Sequence, residues 1–169
     1  MRRMLLSALG SGFIRPAPGT WGSLFAVVAA WPLHQIGGPY TLGAGALLLY
    51  FVGLEAVKAE TDGREDHDPS WIVIDEVVGQ WIALVPVSAG AVVAGVSFFA
   101  LWPGVLSAFL LFRLFDIWKP WLVGRADLRN DATGVMLDDV WAGVFAGVCV
   151  LALAGLAHWG FVTSVPDQL

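Results

Sequence analysis

Charge is scarce in this chain. Of 169 residues only 14% are Asp, Glu, Lys or Arg, against about 25% in a typical soluble domain. With 57% hydrophobic residues and a mean hydropathy of +0.73, the composition excludes an ordinary soluble globule and reads as an integral membrane protein. Cysteine is nearly absent. Cys149 stands alone in "VFAGVCVLALAG", so no disulfide within the chain and no Cys-based metal site is possible, and the residue reads as packing. The three histidines, His34, His67 and His158, have no ligand spacing. His67, in "EDHDP", is a candidate acid or base, and the other two read as interfacial. Net charge is -5 with a pI near 4.9, which argues against a nucleic-acid partner because phosphate-backbone binding rests on a basic surface. The start "MRRMLLSALGSG" is basic, but its short apolar core falls below the roughly 7 to 15 residues of a signal peptide. Repeats, low-complexity tracts and a second domain are also missing, so residues 1–169 read as a single helical membrane domain.

What is present is a set of apolar runs, at residues 21–36, 40–57, 72–88, 91–112 and 137–162. They imply an all-α, polytopic membrane protein with four to five embedded helices. Some fall short of the 20 or so residues of a straight crossing, so the first and third are expected to be tilted, interfacial or re-entrant. "IGGPY" and "VSAGA" are expected to be tight connections, since Gly and Pro interrupt helices there. Glycine-rich spans such as "GALLLYFVG" and "AGVFAGVCVLALAG" suit helix packing within one chain or in a homo-oligomer.

The nine Lys and Arg residues occupy three places: Arg2, Arg3 and Arg15; Lys58 and Arg64; and Arg113, Lys119, Arg125 and Arg129. By the positive-inside rule these regions face the cytoplasm, with the N-terminus inside and, for five crossings, the C-terminus outside. Thirteen of the fourteen acids lie in or beside the same regions. For "KAETDGREDHD" a solvated loop suffices. It does not cover Asp75, Glu76, Asp116, Asp138 and Asp139, which abut long apolar runs where ionisable groups are costly and mark a site by default.

"IDEVVGQW" and "LDDVWAGV" share a design: an aliphatic residue, two adjacent carboxylates, a Val, then a small residue within the next turn. Positions i and i+4 share a helix face, so Gly79 in one, and Ala142 or Gly143 in the other, clear space for a ligand or a second helix. Helix capping explains one carboxylate per helix but hardly two in both. Four carboxylates in a low dielectric repel one another unless a cation balances them. Oxygen ligands without Cys point to Mg²⁺, with Mn²⁺ as the alternative. The candidate metal ligands are Asp75, Glu76, Asp138 and Asp139.

In "LFRLFDIWKPW", Arg113 and Asp116 share a helical face and Lys119 precedes Pro120, which disfavours continued helix. The pair reads either as a local salt bridge or, with Lys119, as a phosphate clamp, because Arg presents a planar fork to phosphate oxygens. "GSGFIRPAPGTWGS" is too rich in Gly and Pro for regular helix. Thr20 or Ser23 is expected to begin the first span, where free N–H groups suit an anion, and both are candidate substrate-binding residues.

Together "APGTWGS", "DPSWIVIDEVVG", "FRLFDIWKPW" and "GVMLDDVWAG" resemble the phosphatidylglycerophosphatase A family. The resemblance runs in order from about Gly12 to Gly143. It implies an Mg²⁺-dependent membrane phosphatase that converts phosphatidylglycerophosphate to phosphatidylglycerol and phosphate, located in the bacterial inner membrane with its site on the cytoplasmic face. It carries over Asp75, Glu76, Asp138, Asp139, Arg113, Asp116 and Lys119. The chain departs from the family pattern before "GVM", where only Gly134 remains of a glycine-richer segment. On this reading Asp75, Asp116 and Asp139 are the candidate catalytic residues, with Asp116 orienting a water or Arg113, and attack by water or by a carboxylate both compatible with the residues. Two rivals stand beside it. A CDP-alcohol phosphotransferase lacks its single long motif here. A non-enzymatic cation carrier or channel requires polar residues continuing toward the far leaflet, yet residues 81–102 and 140–161 contain no charge.

Overall fold

The computed structural model describes residues 1–63, 69–129 and 131–164, the side chains of 160–164 excepted, and among these every regular element is helical. The helices are α1 (Arg2–Leu6), α2 (Pro18–Thr61), α3 (Ile74–Ala94), α4 (Trp102–Trp118), α5 (Leu122–Asp127) and α6 (Ala132–Ser164). Short 3-10 turns lie at Ser11–Phe13 and Phe98–Leu101. Four helical stretches are long and apolar enough to cross a membrane.

The longest of them, α2, has 44 residues. A straight helix of that length would reach about 66 Å, roughly twice the hydrocarbon thickness of a bilayer. It is folded in two at Gly37 and Gly38, where Gly38 takes φ +60° and ψ -138°, a backbone open to glycine. Thr41 Oγ1 donates to the Gly38 carbonyl at 3.1 Å and to the Leu33 carbonyl at 2.5 Å, satisfying acceptors that the break releases. The expected runs 21–36 and 40–57 are therefore the two arms of α2, and "IGGPY" is the turn between them.

The second expected connection lies elsewhere. α3 continues through "VSAGA" to Ala94 and stops at Gly95, which adopts φ +64°. Glycine inside an apolar helix is tolerated where it admits a neighbour, and Gly90 faces the Leu101 side chain. Gly95 alone of these has the left-handed backbone that ends a helix. Hence the fourth span starts at Phe98 rather than at residue 91, and α3, with 21 residues, is long enough to cross without re-entry. α6 also starts early, at Ala132 rather than 137.

α3 is the central rod, packed between α2 and α6. Trp81 Nε1 donates to the Ala26 carbonyl at 2.9 Å and ties α3 to the first arm of α2. Against α6 the contact is backbone to backbone. A Cβ on Gly143 would collide with the Gly79 carbonyl oxygen, and one on Gly79 would lie 2.5 Å from the Asp139 carbonyl oxygen. Small residues allow this approach where lipid supplies no hydrophobic drive between helices. Gly53 faces Met136 and Gly147 faces Pro86 and Ile82, so these glycine-rich stretches serve packing within the chain. Val28, Leu47, Leu48, Phe51, Leu110 and Leu151 point outward, as the lipid-facing surface of a membrane bundle.

The starts of α2, α3 and α6 and the end of α4 fall at one end of the bundle, which carries all the described Lys and Arg residues. The N-terminal segment closes over this end. Val73 N–H donates to the Leu6 carbonyl at 2.8 Å, Phe13 stacks on Trp71 at 5.7 Å, and Arg2 pairs with the buried Glu60 at 2.8 Å.

Candidate active site

That end encloses a cleft of about 240 Å³, lined by Asp75 and Glu76 of α3, Arg113 and Asp116 of α4, Asp138 and Asp139 of α6, Lys119, and the start of α2. A larger hollow of about 550 Å³ between α2, α3 and α6 is lined mainly by aliphatic and aromatic side chains and offers no comparable chemistry. Seven of the residues singled out in the sequence thus meet in one place.

Helix geometry explains the meeting. Asp75 and Gly79 are one turn apart on α3, as are Asp139 and Gly143 on α6, so the glycine contact that seats α6 on α3 also sets the two carboxylate pairs side by side. Oxygen atoms of Asp75, Glu76 and Asp139 lie within 4.8 Å of one another, and so do those of Asp116, Asp138 and Asp139. Capping accounts for only part of this. Asp75 Oδ1 accepts the Glu76 N–H at 3.0 Å in the first turn of α3. Asp138 and Asp139, however, lie well inside α6, whose start is capped by Asp131 through the Gly134 N–H at 2.6 Å.

Two cations enter from α4. Arg113 Nη1 lies 2.5 Å from Asp116 Oδ2 and 3.9 Å from Glu76 Oε1, yet Arg113 Nε and Nη1 make no well-aligned hydrogen bond among the described residues. Lys119 takes the left-handed backbone (φ +51°) that ends α4 before Pro120. Its Nζ lies 3.0 Å from Asp138 Oδ2 and also contacts Asp127. Burial works against this ammonium, but Asp127 and Asp138 outweigh it and hold the Lys119 pKa above the ordinary lysine value.

The cleft lining has three more carboxylates than cations. Asp139, 3% exposed, has an Oδ1 with no hydrogen-bond partner among the described residues, and Glu76 Oε2 is in the same state. Buried acceptors of this kind are costly unless a donor or a cation meets them.

Thr20 and Ser23 are not brought into the cleft. Ser23 is buried and donates to the Gly19 carbonyl at 2.8 Å, while Thr20 is not part of the lining. The glycine-rich stretch contributes Ala17, Pro18 and Gly19 instead, because α2 begins at Pro18, a favoured first helical residue. A Cβ on Gly19 would collide with Glu76 Oε1 and lie 3.0 Å from Arg113 Nη1, so this glycine makes room for the ion pair. His67 lies outside the described residues. Two further residues escaped the sequence reading. Asp127 reaches Lys119 from α5. Gln80, one turn beyond Glu76, is fully buried with neither amide atom hydrogen-bonded among the described residues. Its signal was a lone polar residue inside an apolar run.

Comparison with known proteins agrees with the geometry. The family model described as phosphatidylglycerophosphatase A matches residues 4–154. A phosphatidylglycerophosphatase A of Haemophilus influenzae is 35% identical over 151 residues, covering 89% of this chain and 86% of the relative. The Escherichia coli K12 phosphatidylglycerophosphatase A is 31% identical over 158 residues, 92% of this chain and 84% of the relative. A Bacteroides thetaiotaomicron protein, provisionally named a phosphatidylinositol-3-phosphatase, is 37% identical over 157 residues, 90% of this chain and 91% of the relative. No solved structure matches significantly. A family match over most of the chain and relatives aligned along nearly their whole length establish that the chain belongs to the phosphatidylglycerophosphatase A family, a family of phosphoric monoester hydrolases.

Proposed function

We propose that the protein hydrolyses phosphatidylglycerophosphate to phosphatidylglycerol and phosphate in the bacterial inner membrane, with Mg²⁺ and with its cleft facing the cytoplasm. The observation that carries this reading is the convergence of five carboxylates, Arg113 and Lys119 at one end of an apolar bundle. A lipid phosphate lies at that depth, so the substrate reaches the cleft without leaving the bilayer. The clustering of basic residues at the same end supports the cytoplasmic orientation.

The residues fit a divalent ion. The oxygen-only donor set of Asp75, Glu76 and Asp139 suits Mg²⁺, and Asp139 Oδ1 and Glu76 Oε2, without a hydrogen-bond partner among the described residues, are acceptors that a cation would satisfy. A bound Mg²⁺ supplies positive charge that offsets the charge developing on the phosphoryl oxygens. The protein supplies the rest. Arg113 offers its guanidinium N–H groups to the phosphoryl oxygens, with Asp116 beside Nη1 fixing its orientation. Lys119 adds a point charge. In hydrolysis water attacks phosphorus and the bond to the glycerol oxygen breaks, with Asp116 or Asp138 orienting the attacking water. The rival reading of a cation carrier needs a polar path to the far end, where Ser88 is the buried polar side chain among the described residues and its partner, the half-buried His34, lies 2.7 Å away.

The test is phosphate release by purified protein in detergent, with and without Mg²⁺, on phosphatidylglycerophosphate, phosphatidic acid and phosphatidylinositol 3-phosphate. Mg²⁺-dependent release, fastest on phosphatidylglycerophosphate, is expected. A preference for the inositol lipid, which the name of the Bacteroides relative invites, would replace the proposed substrate.

A further inference from the structure

Lys119 is held by two carboxylates of different kinds. Asp138 is buried in α6 and belongs to the cleft, whereas Asp127 is the last residue of α5, is 43% exposed at its side chain and does not line the cleft. The path of the chain brings Asp127 back. After Pro120 the six residues of α5 fold over the end of α4. Gly124 sits against the Lys119 carbonyl, 2.6 Å from where a Cβ would be, and Gly134 of α6 admits the Ala126 carbonyl at 2.7 Å by the same measure. Val123 and Ala126 are buried. α5 is thus wedged between the Lys119 backbone and α6, with Asp127 fixed beside the ammonium. Gly134, the first residue of "GVM" and the one glycine left in that stretch, is one of the two on which this wedge depends.

We propose that Asp127 is a positioning residue that keeps Lys119 aimed into the cleft when a phosphoryl group binds. The inference rests on the reading of Lys119 as a phosphate ligand. An incoming phosphate competes with Asp138 for the ammonium, and a flexible four-carbon stem with a single carboxylate partner has no fixed site once that partner is engaged elsewhere. Asp127, outside the cleft, remains as an anchor that neither phosphate nor a cation displaces. An exposed ion pair of this kind contributes little to folding, so its role is read in binding rather than in stability.

The experiment measures KM for the lipid substrate and the inhibition constant of inorganic phosphate for wild type, Asp127→Asn, Asp127→Glu, Lys119→Ala and the double variant Asp127→Asn/Lys119→Ala, all in detergent with Mg²⁺. Asp127→Asn is expected to raise KM and the phosphate inhibition constant roughly tenfold, with kcat within about twofold and an unchanged melting temperature. Asp127→Glu should recover most of the loss, and the double variant should be no worse than Lys119→Ala alone, because Asp127 acts only through Lys119. Unchanged phosphate inhibition in Asp127→Asn, while Lys119→Ala weakens it, overturns the role of Asp127 and leaves Lys119 as a phosphate ligand. Unchanged inhibition in Lys119→Ala overturns both. Additive losses in the double variant, or a lowered melting temperature with no change in KM, make Asp127 a structural residue.

Discussion

The two carboxylate groups that share Asp139 are furnished differently. In the group of Asp116, Asp138 and Asp139, Arg113 stands 2.5 Å from Asp116 and Lys119 stands 3.0 Å from Asp138. In the group of Asp75, Glu76 and Asp139, by contrast, Glu76 Oε2 and Asp139 Oδ1 accept no hydrogen bond among the described residues, and Arg113 stays 3.9 Å from Glu76. One half brings its own cations, and the other is short of them. On the proposed reading this difference would divide the labour of phosphoryl chemistry: the first half would present charge to an anion, and the second would take a cation from solution. Asp139 joins the two groups, so the ion and the phosphate would be neighbours.

Replacing the shared residue is expected to have the largest effect. Asp139→Asn keeps shape but removes charge from both halves, and turnover should fall by about a thousandfold or more. Wild type with excess Mg²⁺ should melt well above the EDTA-treated protein, since an ion at about 100 times its Kd stabilises by about 2.7 kcal/mol. This Mg²⁺-dependent rise should vanish in Asp139→Asn. Retained Mg²⁺ stabilisation in that variant would break the link between the halves.

Next in size is a pair of variants that separates them. Glu76→Gln should abolish most of the Mg²⁺-dependent rise in melting temperature, whereas Asp116→Asn should keep it and lose turnover by roughly a hundredfold, because Arg113 loses its orienting partner. Thermal melts with and without Mg²⁺, run beside phosphate release, check both. If Asp116→Asn also loses Mg²⁺ stabilisation, the first half binds an ion as well and the contrast is wrong.

A smaller loss is expected from Arg113→Lys, which keeps the charge but not the fork. Turnover over KM should drop about tenfold to a hundredfold with little change in folding. Near-normal kinetics in this variant would leave Arg113 as a salt bridge for Asp116 and Glu76 only.

The sequence disclosed the halves unequally, for physical reasons. Paired carboxylates in apolar runs are conspicuous because burying them is costly, and the i to i+4 step to Gly79, and to Ala142 or Gly143, left room for either a ligand or a second helix; the helix approach uses Gly79 and Gly143. That Arg113 and Asp116 share a face followed from their spacing of three. Asp127 was not legible, since its contact with Lys119 depends on how α5 folds back, which local pattern does not specify. The start of α2 was assigned to a hydroxyl cap at Thr20 or Ser23, whereas Pro18 opens the helix and Gly19, the residue before Thr20, meets Glu76 and Arg113. The turn at Gly95 was missed because a glycine's backbone, not its presence, ends a helix, and Gly90 and Gly95 look alike in one dimension.

The smallest effect belongs to a carboxylate that caps and does no chemistry, which sharpens the comparison by supplying its control. Asp131 accepts the Gly134 N–H at 2.6 Å and pairs with Arg129 at 3.2 Å at the exposed start of α6. The Arg129 hydrogen bond, then the Gly134 N–H, hold its pKa below the ordinary Asp value. A carboxyl whose folded pKa is depressed adds stability above its unfolded value, near about 3.9, and loses it as pH falls through the folded one. At pH 7, Asp131→Ala should therefore destabilise by about 1 kcal/mol and Asp131→Asn by a few tenths at most, because Asn caps about as well as Asp. The gap between wild type and Asp131→Ala should narrow as pH drops below about 4. Turnover at pH 7 should stay within about twofold in both variants. Melting curves against pH and one activity measurement suffice. A large loss of turnover in Asp131→Asn, like that expected for Asp139→Asn, would mean that the start of α6 belongs to the site and that capping and catalysis are not separated along this helix.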